Sequence, residues 1–152
     1  MSYAASIPSN VTINFDNNGF VDLKDHGSPV FTQGDFKLTF SANNWIQLVI
    51  QGQAGSAALY AYGSGSSSET ITIETTSGNE FDFVSFYINA LGGGFVSIEG
   101  FRDGASLGMQ TTGTGFSQYS GIFTVTLNNT PFDNVDKVVI TSNSSGFTDI
   151  FD

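Results

Sequence analysis

Along most of this chain apolar and polar residues trade places at every second position, the pattern of strands that bury one face and wet the other. Val11 to Asp16 sets Val11, Ile13 and Phe15 against Thr12, Asn14 and Asp16 and ends at Asn17-Asn18-Gly19, which predicts a first strand closed by a turn. Phe36 to Phe40 places Phe36, Leu38 and Phe40 opposite Lys37 and Thr39. Ile46 to Gln51 places Ile46, Leu48 and Ile50 opposite Gln47 and Gln51, and Ala57 to Tyr62 places Leu59 and Ala61 opposite Tyr60 and Tyr62. Thr70 to Thr75 presents Ile71 and Ile73 to one side and Thr72 and Glu74 to the other. Ile122 to Asn128 sets Phe123, Val125 and Leu127 against Thr124 and Thr126, and Lys137 to Ser142 and Phe147 to Phe151 close the chain.

The stretch Phe81 to Gly104 differs, because two apolar runs flank a glycine cluster. Phe81 to Asn89 has apolar groups at both parities, with Phe81, Phe83 and Tyr87 on one side and Val84, Phe86 and Ile88 on the other; this predicts a central strand. Phe95 to Phe101 alternates Val96 and Ile98 with Ser97 and Glu99 until Gly100, where a bulge or bend is expected. Gly92, Gly93 and Gly94 can turn the chain between the runs, giving a hairpin or a sheet corner. They precede a strand and no GK[ST] follows, so a phosphate-binding loop is disfavoured.

The remaining segments are turns and loops. Phe20 to Gly34 is loop-like with a short extended piece at Val30 and Phe31, Ser64 to Ser68 is a connector, and Thr111 to Gly121 is a glycine-rich loop. Asp103-Gly104 is a hairpin-type turn leading into a short strand at Ser106 to Gln110. Short strands at fairly even spacing, with no apolar period of 3.6, predict an all-β antiparallel two-sheet sandwich with little or no helix.

Length changes this picture little: 152 residues suit one β-sandwich domain, with residues 1–9 outside the pattern and expected to be flexible. Phe, at 15 residues, supplies much of the core. Charge excludes more. A formal net charge of −10, with Lys24, Lys37, Arg102 and Lys137 as the cations, argues against nucleic acid and anionic membranes, which need clustered Lys and Arg. There is no cysteine, hence no disulfide and no thiolate metal site. The N-terminal MSYAASIPSN lacks the basic region and apolar core of a signal peptide, and no apolar run reaches transmembrane length, so no membrane insertion is expected.

With FDFVSFYI, VSIEGFRDG, FDNVDKVVIT and FTDIFD in view, the chain resembles the jelly-roll β-sandwich modules of secreted bacterial proteins, the carbohydrate-binding-module-like kind. The shared layout has an early strand ending in Phe-Asp, a middle Phe-Asp-x-x-Ser-Phe strand, a Gly-[aromatic]-x-[Asp/Asn]-Gly segment and a closing strand after Phe-x-x-Val-x-x-Val. Phe15-Asp16, Phe81 to Phe86, Gly100 to Gly104 and Phe132 to Val138 match it, and Asp149 occupies the place of the closing strand's Asp. Asp149-Ile150 departs from the more common Asp-Asn-[Ile/Phe] there. The resemblance implies a jelly-roll topology, an extracellular or cell-surface setting and a polysaccharide or cell-surface glycan as partner. It also implies a structural calcium joining an early loop to the last strand, for which Asp16, Asn17 and Asp149 are the candidates, with Asp22 or Asp25 next. Calcium takes six to eight oxygen ligands, and turn-forming acids that cap their own backbone are the alternative use of the same residues. No EF-hand loop is present.

Sugar recognition calls for aromatic rings against the apolar face of a pyranose and amides or carboxylates for its hydroxyls. Trp45 lies beside Asn43 and Asn44, and Tyr60 and Tyr62 share one strand parity, so Trp45, Tyr60, Tyr62, Asn43 and Asn44 are the candidate ligand-binding set. Core or edge packing is the competing use of the aromatics. Arg102 and Asp103 are a candidate polar rim. For catalysis no residues are assigned: His26 follows Asp25 but has no aligned nucleophile, no G-x-S-x-G occurs, and carboxylate pairs from distant strands stay open. The leading expectation is a non-catalytic, calcium-stabilised carbohydrate-binding module of an extracellular bacterial protein. The alternative is a structural or self-associating module of a surface adhesin or matrix protein.

Overall fold

In β2 (Phe36–Phe40) the side chains of Phe36, Leu38 and Phe40 are buried while Lys37 and Thr39 are only half-buried, so the alternation of the sequence becomes two faces of a sheet. This is a computed structural model that describes residues 11–13, 30–41, 45–49, 58–62, 69–89, 96–112, 122–142 and 148–151. Its strands form two antiparallel sheets. The six-stranded sheet runs β1 (Val30–Gln33), β2, β5 (Glu69–Thr75), β10 (Lys137–Ser142), β7 (Val96–Arg102), β8 (Ala105–Thr111). The five-stranded sheet runs β3 (Trp45–Val49), β4 (Ala58–Tyr62), β11 (Thr148–Phe151), β6 (Ser85–Asn89), β9 (Ile122–Thr126). From β5 onward successive strands alternate between the sheets except at the β7–β8 hairpin, as in a jelly roll.

The core draws on both sheets. Leu38, Ile71, Ile73, Val96, Ile98, Val138 and Ile140 come from the six-stranded sheet and Phe86 and Val125 from the five-stranded one, all buried in one cluster. Phe36 meets Phe81 edge-to-face with ring centroids 5.3 Å apart, and Phe83 stacks on Phe86 at 5.9 Å. Such pairs add to the burial of their area because ring edge and ring face carry opposite partial charge.

Two expectations from the pattern need correction, and one alternative is resolved. The described part of the proposed first strand, Val11 to Ile13, has no regular structure; Ile13 packs on the core while Val11 is exposed, and residues 14–16 lie outside the described residues. Regular pairing in the middle run begins at Ser85, not Phe81, because Phe81 instead forms an isolated bridge with Val135. Of the two arrangements expected for the central runs, a hairpin or a sheet corner, the hairpin is excluded because β6 and β7 belong to different sheets. Residues 1–9 and Gly92, Gly93 and Gly94 lie outside the described residues.

The turn assignments fare better. Asp103 and Gly104 have φ of 51° and 78°, both positive as a type I′ hairpin turn requires, and they join β7 to β8. The register between β7 and β8 slips between Gly100 and Phe101, but the extra residue is Leu107 on β8, so the irregularity expected at Gly100 is a bulge of the strand opposite it. A single helical turn, α1 (Asn129–Phe132), has no counterpart in the sequence pattern, which is too short there to show a helical period.

Most of the short motifs behind the family resemblance meet in one place. Phe81 N–H donates to the Val135 carbonyl at 2.8 Å and Val135 N–H returns the bond at 2.9 Å, while Phe83 N–H donates to the Phe132 carbonyl at 2.9 Å. The Asp82 carboxylate accepts from Asn134 N–H at 2.8 Å, and the Asp136 carboxylate accepts from Asp103 N–H at 2.6 Å. Arg102 donates through Nε to the Asn134 carbonyl at 2.6 Å and through Nη2 to the Asp133 carbonyl at 3.0 Å. Three loops that own no ladder partners thereby satisfy their backbone groups on one another, which a buried or half-buried loop must do. These motifs are structural, and they specify the sandwich rather than a ligand.

At the same end of the six-stranded sheet, on the side of β1 and β2, Asp35 does similar work. Its carboxylate accepts from the hydroxyls of Ser77 and Thr76 and from Ser77 N–H at 3.0 Å, joining the β1–β2 turn to the turn after β5. The Ser77 and Thr76 hydroxyls hold this exposed carboxyl below its ordinary value, because they bond its charged form.

Candidate functional site

Backbone register settles which residues share a face, since Cα partners on neighbouring strands lie on the same side of the sheet. In the five-stranded sheet Phe86 pairs with Val125, and both are buried, so that parity faces the core. Ser85 pairs with Thr126 and Tyr87 with Thr124; Ser85, Thr124 and Thr126 are exposed, so this parity is the outer face. Asn89 has the parity of Ser85 and Tyr87, and its Cα partner on β11 is Asp149. Asp149 pairs in turn with Tyr60 on β4, and Tyr60 with Gln47 on β3.

One row therefore runs Gln47, Tyr60, Asp149, Asn89 across four strands, a span of roughly 14 Å at the usual strand separation. The next row along β3 and β4 is Trp45 paired with Tyr62. Tyr87 stands on the same face two residues from Asn89. Ile46, Leu48, Leu59, Ala61 and Ile88 take the opposite parity, which explains why the strands read as one-sided.

Of the predicted ligand-binding set, Trp45, Tyr60 and Tyr62 are brought together on this face, while Asn43 and Asn44 lie outside the described residues. Of the predicted metal set, Asp149 takes the central position in the row, and Asp16 and Asn17, like Asp22, Asp25 and His26, lie outside the described residues. Asp149 is a mid-strand residue whose Cα partners are a tyrosine and an asparagine, and among the described residues no group of three or more Asp, Glu or His could hold a metal.

The polar rim proposed from Arg102 and Asp103 is corrected. Both belong to the β7–β8 hairpin of the six-stranded sheet, where Arg102 holds the 133–134 turn and lies 3.8 Å from Glu80. Asn89 and Tyr87 share this face and were not among the residues predicted from the sequence. Their outward parity was legible in Ser85-Phe86-Tyr87-Ile88-Asn89, but nothing local says that β11 inserts between β4 and β6 and so sets Asn89 beside Asp149 and Tyr60.

No protein-family model matches the chain, and no curated protein matches it in sequence. Among solved structures it is similar to TmCBM61, a carbohydrate-binding module in complex with β-1,4-galactotriose, at TM-score 0.51 and 12% identity over 93% of this chain and 95% of that one. It is also similar to the enzymatically active domain of bacteriophage CBA120 tailspike protein 4, at TM-score 0.45 and 12% identity over 83% of this chain and 19% of that one. The first likeness shows the fold, a β-sandwich of the carbohydrate-binding-module kind; the second is too slight to add to it. Among the described residues no helix is long and apolar enough to cross a membrane.

Proposed function

We propose that this chain is a non-catalytic glycan-binding module of an extracellular or cell-surface bacterial protein, engaging a polysaccharide or cell-surface glycan through the outer face of its five-stranded sheet. One observation carries the reading: Trp45, Tyr60 and Tyr62 occupy neighbouring register positions on one face, in line with Gln47, Asp149 and Asn89. Rings supply flat apolar area for stacking on pyranose faces, and amides and a carboxylate beside them can satisfy the hydroxyls that lose water on binding. Similarity in fold to a module whose structure contains a galactotriose supports the same class. The net charge of −10 disfavours sulfated and uronic glycans.

Affinity electrophoresis against a panel of neutral, acidic and amino-sugar polysaccharides tests this. Retardation on at least one neutral or amino-sugar glycan is expected, and Trp45→Ala combined with Tyr60→Ala should weaken it about tenfold or more, equivalent to ~1.4 kcal/mol. Unchanged mobility on every glycan would overturn the reading and favour the structural module. Affinity at a single open site should be modest, with retention raised by several modules acting together.

Calcium, with Asp16, Asn17 and Asp149 as ligands, belongs to the same proposal. Excess calcium should raise the thermal midpoint and a chelator lower it, since an ion bound by the native state alone stabilises that state by mass action. Asp149→Ala should remove the difference. Equal midpoints in both conditions, with no calcium found by elemental analysis, would eliminate the ion.

A further inference from the structure

The strands of this face hold one carboxylate and no basic residue: WIQLV, ALYAY, TDIF, SFYIN and IFTVT contain Asp149 and neither Lys nor Arg. Among the described residues the cations all belong to the other sheet, where each has a partner. Lys37 Nζ lies 3.0 Å from Glu74 Oε2, Lys137 Nζ sits over the Phe101 ring, and Arg102 is engaged with the Asp133 and Asn134 carbonyls. Asp149 instead has Tyr60 and Asn89 as its register partners, with Gln47 beyond Tyr60 and the Trp45–Tyr62 pair in the next row.

An aspartate whose register positions are flanked by tyrosine, tryptophan and amide residues, with no Lys or Arg at any paired position, favours a cation as its partner over a neutral hydroxyl. Aromatic faces attract ammonium groups through the ring quadrupole, a carboxylate does so through its charge, and a strongly acidic chain raises the local concentration of cations. We infer that the glycan bound on this face is cationic, an oligosaccharide carrying free amino sugars, with Asp149 as the partner of the ammonium group. This rests on the glycan-binding reading and names its ligand class. Calcium and the ammonium are then alternative occupants of one carboxylate, so calcium competes with the amino sugar.

The test is isothermal titration calorimetry of the full chain with short oligosaccharides of β-1,4-linked glucosamine and with their fully N-acetylated counterparts, which share the backbone and differ in charge. The free amines should bind roughly 10- to 100-fold more tightly at low salt, the range of a hydrogen bond to a charged group. That preference should shrink at high salt and in excess calcium. Asp149→Asn, nearly isosteric, should remove the preference while the chain stays folded by circular dichroism. Asn89→Lys, which offers Asp149 an internal cation from the next strand, should do the same without altering the carboxylate. Glu99→Gln, on the six-stranded sheet, removes one negative charge elsewhere and should leave the preference intact. Equal affinity for both oligosaccharides, a preference that survives Asp149→Asn, or an equal loss from Glu99→Gln would overturn the inference. In those cases binding of neutral glycans by the same face still stands or falls on the electrophoresis above, so the two failures are distinguishable.

Discussion

Phe132→Ala should lower the free energy of unfolding by about 3 to 5 kcal/mol, through lost transfer energy and the cavity left behind. Phe132 is 1% exposed although it sits in a single helical turn. A turn this short has no stability of its own, because helix nucleation fixes several residues for one hydrogen bond. Its position depends on the buried ring and on the Phe132 carbonyl, which accepts from Phe83 N–H at 2.9 Å. Removing the ring should therefore loosen the meeting point of three loops as well as opening a cavity. Urea denaturation gives the measurement: the midpoint should fall with little change in slope. Val84→Ala, next to this region but 64% exposed, should stay within ~0.5 kcal/mol and serves as the control. A midpoint for Phe132→Ala as close to wild type as that control would mean that the turn is not an anchor.

The second large effect is expected at Gly100. An alanine Cβ there would lie well inside contact distance of the Pro131 carbonyl oxygen and 3.1 Å from Val135 Cγ1. At a glycine with room to spare, Ala stabilises by up to ~1 kcal/mol because it stiffens the unfolded chain. Here the sign should reverse, with a loss of roughly 1 to 3 kcal/mol or more as α1 is pushed off the β7–β8 hairpin. The obstacle is a backbone oxygen, so Pro131→Ala should not relieve it. The partner position tells the same story: Gly108 pairs with Gly100 across the ladder, has φ of 138°, and would carry a Cβ 3.3 Å from Pro131 Cβ. Two glycines facing each other make the notch in which Pro131 rests. A thermal midpoint of Gly100→Ala at or above that of the parent chain would show that α1 moves aside freely.

Both predictions concern the residues that carried the family resemblance, and both are about packing. Gly100, Asp103-Gly104, Phe132, Val135 and Val138 recur as a pattern because a close approach, a type I′ turn and three buried side chains each demand one residue type. Most of the aromatic face stands apart from those motifs, with only Tyr87 and Asp149 falling in stretches that carried the resemblance. It lies in the other sheet, and its residues can vary without disturbing the sandwich, since outer-face positions of a sheet contribute little to the core.

What the sequence determined by itself was everything that depends on residues near one another in the chain. Period-2 alternation assigned β2 and β5 and their buried residues, because a strand facing a core selects side chains two apart. Positive φ at Asp103 and Gly104 was legible because few residues tolerate it. What only the tertiary structure decided was how strands far apart in sequence lie side by side. Alternation says which face a residue takes but not which strand is its neighbour, so Phe81 to Gly104 read equally well as a hairpin and as a corner. The same silence hid the full composition of the outer face. Trp45, Tyr60 and Tyr62 could be grouped from one hairpin, β3 with β4, which is local. Asp149 and Asn89 join them through β11, which arrives from the far end of the chain and inserts between β4 and β6. Backbone hydrogen bonding, identical for every residue type, makes that insertion possible, and the shared burial of the inner face selects it; neither leaves a mark on the outer residues that it brings together.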